Sequence, residues 1–272
     1  MSVDEQHTSP DESGASTPAP TAGAGRPTAQ TAQPGRAVRA VVLDVNGTLT
    51  DMSPLGERLA EVGLAASDLR AWFAQTLRDG FAVAVAGRNA DFAEVAGSVL
   101  ATMLAAAGDR PADDRPAGDR PADTDRGEAV QYVLDGFRTL PLHPDVEPGL
   151  RALADAGIRV AALTNGSAGV TTAMLANAGV EQLVERVLSV ADAPAWKPAP
   201  PAYRYGLREL GLPASSVVLA AAHPWDVDGA TRSGLRGALI ARNRSVYPPY
   251  FARPEFTVSG LDALAQQLPA PR

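Results

Sequence analysis

The chain has 272 residues, 45% of them apolar, and a formal net charge of −7: room for one globular core with a smaller inserted unit, and the wrong sign for a general nucleic-acid binder. It contains no cysteine, which excludes disulfides and thiolate metal sites. No apolar run reaches the ~20 residues of a membrane helix, and the first segment lacks the apolar centre of a secretory signal, so a cytoplasmic protein with no membrane partner is expected.

In chain order, residues 1–37 are rich in Pro, Ala, Thr, Gly and Ser. Such a segment buries too little surface to offset its ordering entropy and reads as a disordered tail. "VVLDVNGTLTD", Val41 to Asp51, then reads as a buried strand running into a polar loop. Residues 53–140 form a long insertion after that strand. In it, Ser67 is placed to cap a helix carrying Leu69, Trp72, Phe73, Leu77 and Phe81 at helical spacing. "DFAEVAGSVLATMLAAAG" and "GEAVQYVLDGF" supply two more helices. Between them a repeated DRPA unit, residues 108–127, reads as a flexible low-complexity loop.

Beyond the insertion, "IRVAALTN", "SVVLAAAH" and "GALIARN" are short apolar runs of strand type. Between the strands lie "PGLRALADAG", "AGVTTAMLANAG" and "PAYRYGLRELG", helical patterns that all end on a glycine, which in the first two is read as the position after the last turn. This alternation predicts an α/β fold, a parallel sheet covered on both faces, formed by residues 38–52 and 141–272. The insertion becomes a helical cap over its carboxyl edge, where reactive groups gather.

The strand ends carry polar groups in order: Asp44, Asn46 and Thr48; Thr164 and Asn165; Lys197 in "AWKPAPPAY"; then His223, Trp225, Asp226 and Asp228. Singly each is weak, since Asp at a strand end is often a cap and Thr-Asn-Gly often a turn. Together they describe a carboxylate, a hydroxyl–amide pair, a cation and a second acidic cluster. Lys197 is the one lysine among 24 basic residues, and a surface role is the poorer reading for it.

These residues resemble the haloacid dehalogenase superfamily: "DVNGT", "LTNGS", "WKP" and "WDVDGA" match its four motifs in order. The resemblance spans about Arg39 to Leu261 and implies a three-layer Rossmann-like core with an inserted cap. It makes Asp44 the nucleophile that forms an enzyme ester, Thr164 and Asn165 the holders of the substrate's anionic oxygens, and Lys197 the charge that keeps Asp44 ionised. In the family's phosphatases the residue two after the nucleophile is an acid that protonates the leaving alkoxide. Asn46 has no such proton, whereas a departing halide needs none. The acid that would hold Mg²⁺ falls on Ala222, although Asp226 and Asp228 could still hold it. Tyr203, six residues after Lys197, and "HPWD" resemble the 2-haloacid dehalogenase branch, with Asp226 helping to activate water and His223 a candidate base.

There are departures. Phe73 stands where that branch has a halide-receiving arginine, and neither Arg78 nor Arg88 is favoured as its substitute. Ala221 replaces a serine, and His223 an asparagine. The expected function is therefore hydrolysis of a small 2-haloacid or related anionic carboxylate through an aspartyl ester, without cofactor. Thr48, Phe73, Tyr203 and Trp225 join Asn46, Thr164 and Asn165 as substrate-binding candidates, and a homodimer is a further expectation. Two alternatives stay open: a Mg²⁺-dependent phosphatase with altered motifs, and a binding module of the same fold with weakened chemistry. A phosphonate-cleaving variant would need a cap lysine, and the cap has none.

Overall fold

The first strand, β1 (Ala40–Leu43), is buried along its whole length in a computed structural model that describes residues 37–108, 126–242 and 246–268. The expected disordered tail and DRPA loop fall almost wholly outside these residues. Strand β1 sits between β2 (Arg159–Thr164) and β4 (Val217–Ala221), with Leu43 level with Ala162 and Ala220. β3 (Arg186–Ser189), β5 (Arg236–Ile240) and β6 (Phe256–Val258) complete a six-stranded sheet of order β3-β2-β1-β4-β5-β6. Every pairing is parallel.

Alternate side chains point to opposite faces of a strand, and here each face meets its own helices. Val41, Leu43, Val160, Val218 and Ile240 pack against α5 (Val146–Asp155), α6 (Ala168–Asn177) and α9 (Leu261–Gln267). Val42, Leu163, Leu219 and Leu239 pack against α7 (Pro200–Leu210) and α8 (Pro224–Arg232). The result is the three-layer α/β core expected from the alternation. Glycines at positive φ close α5, α6 and α7: Gly157, Gly179 and Gly211.

Ahead of α5, four helices are inserted after β1 among the described residues: α1 (Ser53–Glu61), α2 (Leu69–Val85), α3 (Phe92–Gly108) and α4 (Arg126–Asp135). Where the chain leaves and re-enters the core, Thr50 bridges Leu142 in antiparallel fashion, and Asp51 N–H donates to the Pro141 carbonyl at 2.9 Å. Asp91 caps α3, its Oδ1 accepting from Ala93 N–H at 2.7 Å. Ser67 does not cap α2: it lies inside a 3₁₀ turn (Ala66–Asp68), and Asp68 instead accepts from Ala65 N–H. Among the described residues no helix is long and apolar enough to cross a membrane.

Helix α2 rests on the loop before α7. Gly80 faces the Trp196 ring so closely that a Cβ there would overlap it. Trp196 Nε1–H donates to the Ala90 carbonyl at 2.8 Å, and Asn89 Nδ2 donates to the carbonyls of Val190 and Ala193. These contacts hold the inserted helices against the sheet's carboxyl edge.

Candidate active site

Strand β1 ends at Leu43, and the next residue, Asp44, projects from the centre of the sheet's carboxyl edge with 5% of its surface exposed. Gly47, at φ +76°, allows the loop beyond it to turn back. That brings Thr48 Oγ1 to 2.6 Å from Asp44 Oδ2, to which it donates, while it accepts from Ala222 N–H at 2.9 Å. Thr48 is fully buried, and both bonds are internal. It positions the carboxylate, which corrects its expected place among the substrate-binding residues.

Lys197 has no exposed surface. Its ammonium lies 2.8 Å from Asp44 Oδ1 and 2.7 Å from Asp226 Oδ2. A buried ammonium is tolerated only when paired, and two carboxylates share it here. Asp226 is also fully buried, its other oxygen accepting from Tyr203 O–H at 2.7 Å. Tyr203 is thus one step behind the site, supporting Asp226 instead of touching substrate; the expectation of a binding role is corrected. Asn165 is likewise engaged with protein: Lys197 N–H donates to its Oδ1 at 2.9 Å, and its Nδ2 donates to the Lys197 carbonyl at 3.1 Å. It fixes the lysine's backbone; its Nδ2 keeps a second N–H, and the residue lines the pocket around Asp44. Thr164 Oγ1 accepts from Gly166 N–H at 2.9 Å and keeps its own proton to donate.

The electrostatics follow from this packing. Burial pushes the Asp44 carboxyl up, but the Lys197 and His223 charges and the hydrogen bonds from Lys197 and Thr48 outweigh it, holding the group below its ordinary range. Asp226 moves the other way, because burial and the nearby Asp44 charge exceed the help of Lys197 and Tyr203. Burial would lower the Lys197 ammonium, yet its two carboxylates raise it above the ordinary lysine value. Burial and Asp226 hold the Tyr203 phenol well above its ordinary value, so it stays a donor.

His223 Nε2 is 2.8 Å from the Asn46 carbonyl. A carbonyl has no proton, so Nε2 carries the hydrogen and donates it. That nitrogen, 3.7 Å from Asp44 Oδ2, therefore cannot also accept a proton from water. The imidazole stacks on Trp225 at 5.3 Å and lies 5.9 Å from the Phe73 ring, and Trp225 meets Phe81 edge-on at 5.1 Å. A pocket of about 240 Å³, mouth included, has Asp44, Asn46, Thr164 and Asn165 on one side and Phe73, Leu77, Phe92, His223 and Trp225 on the other. Leu77 entered the sequence reading only as part of a helical spacing, and Phe92 was not singled out. Phe92 was hidden as the first residue of an apolar helix, where a pocket wall and a core side chain look alike.

The acidic cluster is split. Asp228 points away from Asp44, accepting from Arg232 at 2.9 Å and from Ala252 N–H at 2.7 Å. Ala222 brings no oxygen from its side chain, and Lys197 occupies the space between Asp44 and Asp226. Among the described residues no three His, Cys, Asp or Glu side chains converge as a metal site, so this donor set does not fit Mg²⁺. Arg78 pairs with Asp79 at 2.8 Å in solvent and does not line the pocket. A further arginine was missed: Arg242 donates to the Thr48 carbonyl at 2.7 Å while both arms of its guanidinium hold Asp145 at 2.7 Å. Nothing in the local sequence joins positions 48, 145 and 242; only the fold does.

A family model described as haloacid dehalogenase-like hydrolase matches residues 38–234. Haloacetate dehalogenase H-2 of Moraxella sp. (strain B) is 36% identical over 142 residues, 52% of this chain and 63% of that protein. The match thus spans less than two thirds of that relative. (S)-2-haloacid dehalogenase 1 of Pseudomonas sp. (strain CBS-3) is 26% identical over 85% of this chain and 96% of its own. The structure of L-2-haloacid dehalogenase from Xanthobacter autotrophicus with chloropropionic acid covalently bound superposes with a TM-score of 0.72 at 25% identity, covering 84% of this chain and 97% of that one. With its parallel sheet, inserted helices and Asp44–Lys197–Asp226 cluster, the chain belongs to the haloacid dehalogenase-like hydrolases.

Proposed function

We propose that the chain hydrolyses the carbon–halogen bond of small 2-haloacids, with Asp44 as nucleophile. The observation that carries this is Asp44 itself: a buried carboxylate kept ionised by Lys197 at the floor of a small pocket, beside an asparagine that cannot protonate a leaving group. A carboxylate oxygen of Asp44 attacks the carbon bearing the halogen. The carbon–halogen bond breaks as the new C–O bond forms, and the halide leaves with its electron pair. Thr164 O–H, with backbone N–H groups at the end of β2, orients the substrate carboxylate. Water then adds to the ester carbonyl of Asp44, the hydroxy acid departs, and one proton is released. Asp226, joined to Asp44 through the shared Lys197 ammonium and raised in pKa by burial, receives that proton through this hydrogen-bonded cluster. Lys197 holds the excess negative charge through both steps, so no divalent ion is invoked. His223 steadies the Asn46 carbonyl and walls the halide side with Phe73 and Trp225, whose ring edges are weakly positive. A cytoplasmic location and a homodimer belong to the same reading.

The test is a panel of 2-haloacids and phosphate esters, each with Mg²⁺ and with chelator. Halide release insensitive to chelator is expected. Turnover confined to phosphate esters with Mg²⁺ would overturn the reading. A single turnover in ¹⁸O-water should place the label in the Asp44 peptide rather than in the product, as ester hydrolysis at the enzyme's own carbonyl requires.

A further inference from the structure

Asn46, Phe92 and Thr164 line two neighbouring spaces. On one side is the pocket around Asp44. On the other is a cleft between α3, α4 and α6, of about 430 Å³ with its mouth included. Its sides are apolar, from Ala93, Leu134, Phe137 and Val170. The polar groups at its rim are already satisfied: Asp91 accepts from the first turn of α3, and Ser167 Oγ from Val170 N–H. The Asn46 side-chain amide, half-buried between the two spaces, has no hydrogen-bond partner among the described residues. The Phe73, His223 and Trp225 rings also line the pocket around Asp44. A substrate carbon attacked by Asp44 carries a carboxylate, a halogen and one more substituent, and that substituent needs a volume of its own.

We propose that this cleft receives the 2-substituent, so that the preferred substrates are 2-haloacids with an apolar group longer than methyl, such as a four-carbon chain or a benzyl group. The inference rests on the dehalogenase reading and adds its substrate class. Apolar walls reward each methylene buried, and the Asp91 carboxylate at the rim disfavours a second carboxylate on the substrate.

Three measurements on the full chain test it. Across 2-bromopropionate, 2-bromobutyrate and 2-bromohexanoate, kcat/KM should rise by roughly fourfold per methylene, with a 2-bromo dicarboxylate poor. Val170→Trp, and independently Ala93→Trp on the exposed first turn of α3, should lower the hexanoate-to-propionate ratio at least tenfold. Calorimetry with unhalogenated hexanoate and propionate reads the cleft without the chemistry, and hexanoate should bind more tightly by the same factor. Turnover of 2-bromopropionate with no gain for longer chains, or a ratio that ignores both tryptophans, overturns the cleft and leaves the reaction standing. Tighter hexanoate binding without any halide release sustains the cleft and overturns the reaction.

Discussion

Lys197 lies 2.8 Å from Asp44, and the lysine has no surface open to solvent. The pair joins the end of the first strand to a loop 153 residues later in the chain. Asp226 takes the other side of the same ammonium, so two carboxylates share one buried cation.

The first prediction concerns the nucleophile. Asp44→Asn should abolish halide release, by several orders of magnitude, as removal of a covalent nucleophile does elsewhere. The fold should survive, because the amide oxygen can still accept from Lys197, the amide NH2 can donate to the Thr48 hydroxyl once that rotates, and Lys197 keeps Asp226. Turnover and the circular-dichroism melting curve, measured together, check both halves. Wild-type rates in the variant would refute the ester mechanism.

Lys197→Met removes the cation and leaves Asp44 and Asp226 buried without it. Breaking a buried pair this way costs about 3–5 kcal/mol. The sign of the pH dependence should invert. In the wild type Asp44 is depressed, so its contribution is present above the ordinary carboxylate range and is lost as pH falls through the lowered value. Lys197 is raised, so its contribution is lost only as pH rises through a value above that of ordinary lysine. Without the lysine, burial pushes both carboxyls up. Their penalty is then absent at low pH and grows as pH rises past the unfolded carboxylate value. In the wild type the melting temperature should therefore fall only as pH drops below the ordinary carboxylate value, where Asp44 is lost, with the raised Asp226 opposing part of that change; in the variant it should fall as pH rises from about 4 to 8.

Phe73 lines the pocket that contains Asp44. An arginine there would place a cation where the halide leaves. Phe73→Arg should raise kcat/KM for haloacids roughly tenfold, a modest share of what a cation in a desolvated pocket can supply. Because the side chain is half-buried at the pocket's edge, the melting temperature should change little. A large fall in melting temperature with no gain in rate would make Phe73 simply a packing residue.

Gly80 is a glycine inside helix α2, where alanine ordinarily adds about 1 kcal/mol. Here the added Cβ would press into the Trp196 ring. Gly80→Ala should instead destabilise by roughly 1–3 kcal/mol, the usual cost of overpacking. By moving α2, which carries Phe73 and Leu77, it should also raise KM. Increased stability in chemical denaturation would contradict the close approach.

The sequence alone determined the α/β alternation, four of the six strands and the residues at their ends. Those strands lie inside the sheet and are buried on both faces, so each needs a continuous apolar run. β3 and β6 are the two edges. They are short and partly exposed, and carry no such run. The types Asp, Asn, Thr, Lys and His at fixed places in the motifs were readable because chemistry restricts them. Their partners were not readable. Thr48 and Tyr203 looked like substrate contacts, yet tertiary packing spends their hydrogen bonds on Asp44 and Asp226, and Asn165 also fixes the backbone of Lys197. Arg242 reaches Thr48 across 194 positions, and Gly80 owes its identity to a tryptophan on another element. Local sequence sets periodicity and residue chemistry. Which polar group satisfies which is decided only when distant segments are buried together, because each buried donor and acceptor must then find its partner within the fold.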